Sequence, residues 1–320
     1  MELYDSFMIG VNAVLPFMVY MAFGYLMVRF KIIKEESLKF LNKIVFQCFF
    51  VFNMFYNFYT MDFTGFQPGI ALFALGLAVL VMLALLILVP IFEKRDNRRG
   101  VIMQALVRAN ILIFAVPFTK ELCGSGSAAP MMVSVLVAVL VPVNNIYSVL
   151  VLEKYGGKKS SKLQLLKSVF SNPLVIGSII GAIVLALRIR LPEKVLEPIK
   201  AISDMTSPLA LFIIGGTLHF KSLRRDLKSL TRVGLVRLFL LPAFALLMTF
   251  LFDSYLHFST GDRIVIFILF AVPPAVASYP TAANMGGDAE FAGEVVATGT
   301  VASMFTLFLW VVGLKFVGVF

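Results

Sequence analysis

Asn110 stands seven residues before Pro117 in one apolar, membrane-length stretch, and Ser278, Tyr279 and Thr281 flank Pro280 in another. An asparagine amide offers donors and an acceptor. A proline lacks a backbone donor and clashes with the preceding turn, so each stretch sets polar side chains beside freed backbone groups. In lipid a helix unwinds only where protein or trapped water satisfies those groups. The two stretches match, because Pro117 and Pro280 each precede a glycine, Gly124 and Gly287, by seven positions. A half-helix restarting after such a break aims unpaired N–H groups and the positive end of its dipole into the gap. If the two breaks cross near the midplane, they frame a small polar pocket that suits a carboxylate better than a cation. One proline alone reads more simply as a kink. A matched pair in two halves is the sequence pointer to a transporter's binding site.

Other polar residues inside apolar runs extend the set. Asn145, beside Asn144 and after Pro142, and Gln47 and Asn53 in an earlier run could line the pocket, or could hydrogen-bond helix to helix. Ionisable residues within spans are costly and tend to be functional, which singles out Lys43, Arg108, Asp204 and Arg237. Lys43 and Arg108 sit near span ends, where a long side chain can snorkel to the interface. Asp204, Gln47 and Arg237 are the candidates for coupling to a proton or a sodium ion. Asp288, Glu290 and Glu294 read as a solvated cap on the last span. No nucleophile–base pair or histidine–carboxylate cluster is visible, so the chain does not read as an enzyme and no cofactor or metal is expected. Cys48 and Cys123 lack metal-ligand spacing and read as small buried hydrophobes.

The elements that must position these residues are helices in a membrane. The chain has 320 residues, 60% hydrophobic and 14% charged, against about 25% charged in a soluble domain. Counted on a ruler of about 20 residues per crossing, the apolar runs give ten spans, near 6–28, 38–60, 68–92, 101–121, 130–152, 173–189, 199–219, 231–252, 263–285 and 291–319. The net charge of +10 follows the connections. Odd-numbered connections carry eighteen Lys and Arg, such as Lys94, Arg95, Arg98 and Arg99, against seven in the even-numbered ones and the tail. Excess basic residues mark the cytoplasmic side, which puts both termini outside and makes nucleic acid an improbable partner. The sixth connection, with Arg188, Arg190, Lys194 and Lys200, runs against the trend. The acidic start Met1-Glu2-Leu3-Tyr4-Asp5 and the length of the first run argue against a cleaved signal.

Ten spans divide into residues 1–152 and 173–320, five each, joined by a cytoplasmic linker over 153–172 that patterns as a surface amphipathic helix. Five is odd, so the second half enters in the opposite sense. The expected fold is an all-α integral membrane protein of two inverted five-helix repeats, with spans four and nine broken and crossing. A homodimer is compatible with this fold.

The motifs Asn110 through Pro117, Ser171-Asn172-Pro173-Leu174, Pro208-Leu209-Ala210-Leu211 followed by Gly215-Gly216, Ala271-Val272-Pro273 and Ala297-Thr298-Gly299-Thr300 stand in order along the chain. In that order they resemble the auxin efflux carrier family, which includes plant auxin exporters and bacterial malate and malonate permeases. The resemblance implies ten spans, an elevator-like movement of a crossover domain against a scaffold of spans one, two, six and seven, and organic-anion transport across the cytoplasmic membrane. On that expectation a small or aromatic carboxylate sits at Asn110, Pro117, Asn145, Ser278, Tyr279 and Pro280. The chain departs from the family in Phe49–Asn53, where a proline is common, and at Ala277, where a polar residue is common. A sodium-coupled carrier of the bile-acid symporter type shares the crossover layout, and a channel and a non-transporting receptor are the other readings.

Overall fold

A computed structural model of the protein describes residues 2–60, 67–123, 127–156, 163, 167, 170–218 and 220–319. Among these the regular elements are helices. In chain order they are α1 (Glu2–Arg29), α2 (Glu35–Ile44), a π-helical turn (Val45–Phe49), α3 (Phe50–Tyr59), α4 (Pro68–Phe92), α5 (Asp96–Val107), α6 (Ile111–Cys123) and α7 (Ala129–Tyr155). The second half runs through α8 (Pro173–Ala186), α9 (Glu193–Gly216), α10 (Phe220–Leu235), a second π turn (Val236–Leu240), α11 (Leu241–Leu251), α12 (Asp253–Leu256), α13 (Thr260–Ala271), α14 (Ser278–Asn284) and α15 (Ala289–Phe316). Among the described residues, six continuous helical stretches are long and apolar enough to cross a membrane: Glu36–Tyr59, Pro68–Phe92, Val135–Tyr155, Glu193–Gly216, Ser222–Leu251 and Ala289–Phe316. Two shorter apolar helices, Leu15–Arg29 and Pro173–Ala186, accompany them. Gly124, His219 and most of the 153–172 linker lie outside the described residues.

Small residues set which helices meet. Gly177 and Gly181, one turn apart on α8, face α3 so closely that a Cβ at either would overlap the carbonyl of Val51 or Phe55. Gly215 and Gly24 do the same where α9 meets α1, against the carbonyls of Met21 and Phe212. Helices in lipid gain little from burying apolar surface against one another, so close backbone approach through glycine is what selects partners. The result is one group of α1, α3, α8 and α9, with α1 against α9 and α3 against α8. The other helices, α4 to α7, α10, α11 and α13 to α15, pack into a second group, and α1 also lies along α15.

One end of the second group is tied by buried charge. Arg98, at the start of α5, donates to both carboxylate oxygens of Asp226 on α10, at 2.8 and 2.7 Å, and to Asp288 at 2.6 Å. Its guanidinium also lies 4.3 Å above the Phe291 ring. Asp288 caps α15 by accepting from the Phe291 amide. Nearby, between α4 and α5, burial alone would raise the Glu93 carboxyl pKa, but hydrogen bonds from Arg95 outweigh it and hold the group below its ordinary value. The expected solvated cap therefore needs correction. Asp288 is built into an ion-pair network, and Glu294 is buried on the inward face of α15. Cys48, expected to be buried, is exposed on the first π turn.

Candidate functional site

Both interrupted stretches are broken, but not at Pro117 and Pro280. The first chain leaves helical geometry at Arg108, with φ −81° and ψ 101°, and re-enters it at Ile111. The second leaves at Val272, with φ −70° and ψ 153°, and re-enters at Ser278. At the second break the reason is steric. A residue before proline is pushed out of the α region, and Pro273-Pro274 does this to two residues in succession. Pro280 is instead the third residue of α14, within the first turn, where a missing N–H costs nothing. Pro117 lies inside α6, which continues past it.

At the two breaks the chains cross as a short antiparallel pair. The Asn110 amide donates to the Pro273 carbonyl and the Ala275 amide donates to the Arg108 carbonyl, each at 2.9 Å, bridging Ala109 and Pro274. Gly299 on α15 leaves the room that Pro274 fills, since a Cβ there would come within 2.9 Å of the proline ring. Arg237, on the second π turn and 1% exposed, secures the crossing from behind. Its Nε and Nη2 donate to the Val272 carbonyl at 3.1 and 2.8 Å, and its Nη1 donates to the Leu106 carbonyl at 2.8 Å. Those carbonyls belong to the C-terminal ends of α13 and α5, which carry the negative ends of the helix dipoles. Trp310 on α15 donates to the Leu238 carbonyl in the same π turn at 2.8 Å, which satisfies a backbone group beside the widened geometry.

A cavity of about 420 Å³ lies between the crossing and the first helix group. The crossing supplies Arg108, Ala109, Asn110, Ile111 and Ala275 to Ala277, and α7 supplies Asn144 and Asn145. The facing wall is Phe17 and Tyr20 on α1, Asn53 and Met54 on α3, and Asp204 and Ser207 on α9. Asn53 is committed to helix–helix bonding, donating to the carbonyl and the hydroxyl of Ser203, each at 3.1 Å. Asn145 makes a weak contact to the Met54 sulfur at 3.9 Å. Two buried atoms in this lining have no partner: Asn110 Nδ2, a donor, and Asn144 Oδ1, an acceptor. Asn110 also stands immediately before α6, whose first turn leaves N–H groups without intrahelical partners.

Of the residues singled out from sequence, Asn53, Arg108, Asn110, Asn144, Asn145 and Asp204 line this cavity. Ser278, Tyr279 and Pro280 are buried in α14 behind the crossing and are not among its lining residues, and Ser278 accepts a hydrogen bond from Gln104 at 3.0 Å through its carbonyl. The side chain of Pro117 lies outside the described residues. Gln47 is exposed on the first π turn, away from the cavity. Asp204, at the rim, is paired with Lys200 one turn earlier. Arg108 reverses its sequence reading. It does not snorkel, but is 4% exposed and lines the cavity, with Nη1 donating to Thr281 Oγ1 at 3.0 Å. The signal for it was an arginine two residues before Asn110 in the same apolar stretch.

No curated protein matches the chain. The family model described as membrane transport protein, Mem_trans, matches residues 9–311. With helices as the regular elements of the described residues, apolar helices of membrane length and this match over nearly its whole length, the chain belongs to the auxin efflux carrier family of membrane transport proteins.

Proposed function

We propose that the protein is a secondary active carrier of small organic anions, holding a substrate carboxylate in the cavity at Asn110. The observation that carries this reading is the unpartnered, buried Nδ2 of Asn110, a residue that lines the 420 Å³ cavity and stands immediately before α6. A carboxylate there accepts from Asn110 and meets the positive end of the α6 dipole. α14, with only seven residues, contributes little to that field.

On this reading the ten spans are α1, α2 with α3, α4, α5 with α6, α7, α8, α9, α10 with α11, α13 with α14, and α15. The halves are inverted repeats related by a pseudo-twofold axis in the membrane plane. The packing of α1 on α9 and of α3 on α8 supports it, since an inverted repeat exchanges span one with six and span two with seven. The group of α1, α3, α8 and α9 acts as scaffold, and the crossing group carries the substrate past it in an elevator-like movement. Both termini face away from the cytoplasm, in keeping with the basic odd-numbered connections.

Counterflow in proteoliposomes tests the proposal, with malate, malonate and an aromatic monocarboxylate, with and without pH and sodium gradients. Saturable exchange of one acid is the expected result, and the gradient that drives it identifies the coupling ion. Absence of exchange for every acid, from protein shown to be folded, would reject it.

A further inference from the structure

We infer that the site selects anions bearing a single negative charge, and that Arg108 is the residue that reads that charge. The inference rests on the carrier reading above and narrows its substrate class from organic anions to monocarboxylates. It starts from a charge balance at the crossing. Two guanidinium groups are buried there, Arg108 and Arg237, 4% and 1% exposed. An arginine stays protonated in a protein, so both charges need a counterpart within a medium that does not screen them.

Arg237 has its counterpart. Its N–H groups are spent on Leu106 and Val272, at the C-terminal ends of two twelve-residue helices, α5 and α13. Each such end is equivalent to about half a negative charge. Two of them offset one guanidinium.

Arg108 has none. Its hydrogen bonds run from Nη1 to the Thr281 hydroxyl at 3.0 Å and to the Ala277 carbonyl at 3.5 Å, both neutral groups. Among the described residues it forms no ion pair and has no other hydrogen-bond partner. The acidic residue of the cavity lining, Asp204, is 57% exposed at the rim and already paired with Lys200. The cavity lining therefore holds one cation without an acidic partner, Arg108, together with the unpartnered donor of Asn110. A guanidinium fork suits a carboxylate. One carboxylate closes the balance. A second would leave a negative charge facing Phe17, Phe50 and Met54, with no further cation in the lining to meet it. Asn144, in the same lining, holds an acceptor, Oδ1, that has no partner in the protein.

Matched acids test this directly on the purified full-length protein. Binding is measured for phenylacetate against phenylmalonate, and for lactate against malate, with phenylacetamide as the uncharged control. The expected result is that in at least one pair the monoanion binds at least tenfold more tightly than its dianionic partner. Arg108→Lys should keep that order, and Arg108→Gln, checked for a monodisperse folded species, should abolish the preference of phenylacetate over phenylacetamide. Tighter binding of the dianion in the pair that binds would overturn the charge rule while leaving an anion carrier in place. A preference unchanged in Arg108→Gln would remove Arg108 as its reader. Binding of no acid at any valence would overturn both the inference and the carrier reading.

Discussion

Asn110 and Pro273, 163 positions apart in sequence, join the two broken helices through one backbone hydrogen bond, amide to carbonyl, of 2.9 Å. The bond belongs to the main chain, so the Asn110 side chain is not needed to hold the crossing. Its Nδ2 is left without a partner in the protein. Structure and binding are therefore separable at this residue.

Asn110→Ala is expected to abolish counterflow while leaving the folded protein intact. Removing a donor that bonds nothing in the protein should shift stability by under about 1 kcal/mol, since no hydrogen bond is lost. Thermal unfolding in detergent and uptake into vesicles measure the two effects separately. Unchanged uptake would sink the assignment of the substrate site.

Arg237→Met should behave in the opposite way and lower stability first. It leaves the Leu106 and Val272 carbonyls without the N–H groups they accept from, and an orphaned buried acceptor costs about 1–3 kcal/mol. Arg237→Lys, which supplies charge without a planar fork, should restore part of that loss. The comparison of unfolding temperatures for the three proteins checks it, and an equal temperature for all three would contradict the clamp.

Glycine substitutions should separate the helix seams from the lipid-facing surface. Gly215→Val drives a side chain into the Met21 carbonyl and is expected to prevent recovery of monodisperse protein. Gly76→Ala, in α4 with nothing within 4 Å of the new Cβ, should be tolerated, and gains about 0.5–1 kcal/mol from helix propensity. Size-exclusion profiles of the two variants decide it.

Asp226→Asn should loosen the end of the crossing group, where Arg98 is 3% exposed between Asp226 and Asp288. Breaking one partner of a buried ion pair costs about 3–5 kcal/mol, less here because Asp288 still engages the guanidinium. A double-mutant cycle with Arg98→Gln measures the coupling, and additive effects would show that the pair contributes nothing beyond its separate parts.

Much of the fold was legible because membrane helices leave direct marks in sequence. Long apolar runs such as 68–92 and basic connections follow from the cost of exposing backbone and charge to lipid. Asn110 was legible for the same reason, as an amide inside an apolar run. The break points were less so. Pro273-Pro274 forces its own break by local sterics, but Arg108–Asn110 contains no proline or glycine. Its extended geometry is fixed by hydrogen bonds to Pro273 and Ala275, which no local pattern encodes. Pro117 and Pro280, the obvious breakers, are absorbed into helices.

By itself, then, the sequence determined that this is an all-helical membrane protein with two interrupted apolar stretches, because hydrophobicity and proline sterics act over a few residues. The tertiary structure decided where the breaks fall, which carbonyls Arg237 caps and that Arg108 faces a cavity instead of reaching for the surface. Those outcomes depend on groups from 35 to more than 170 positions apart meeting in space. A buried charge acquires its meaning only from the neighbours that folding brings to it.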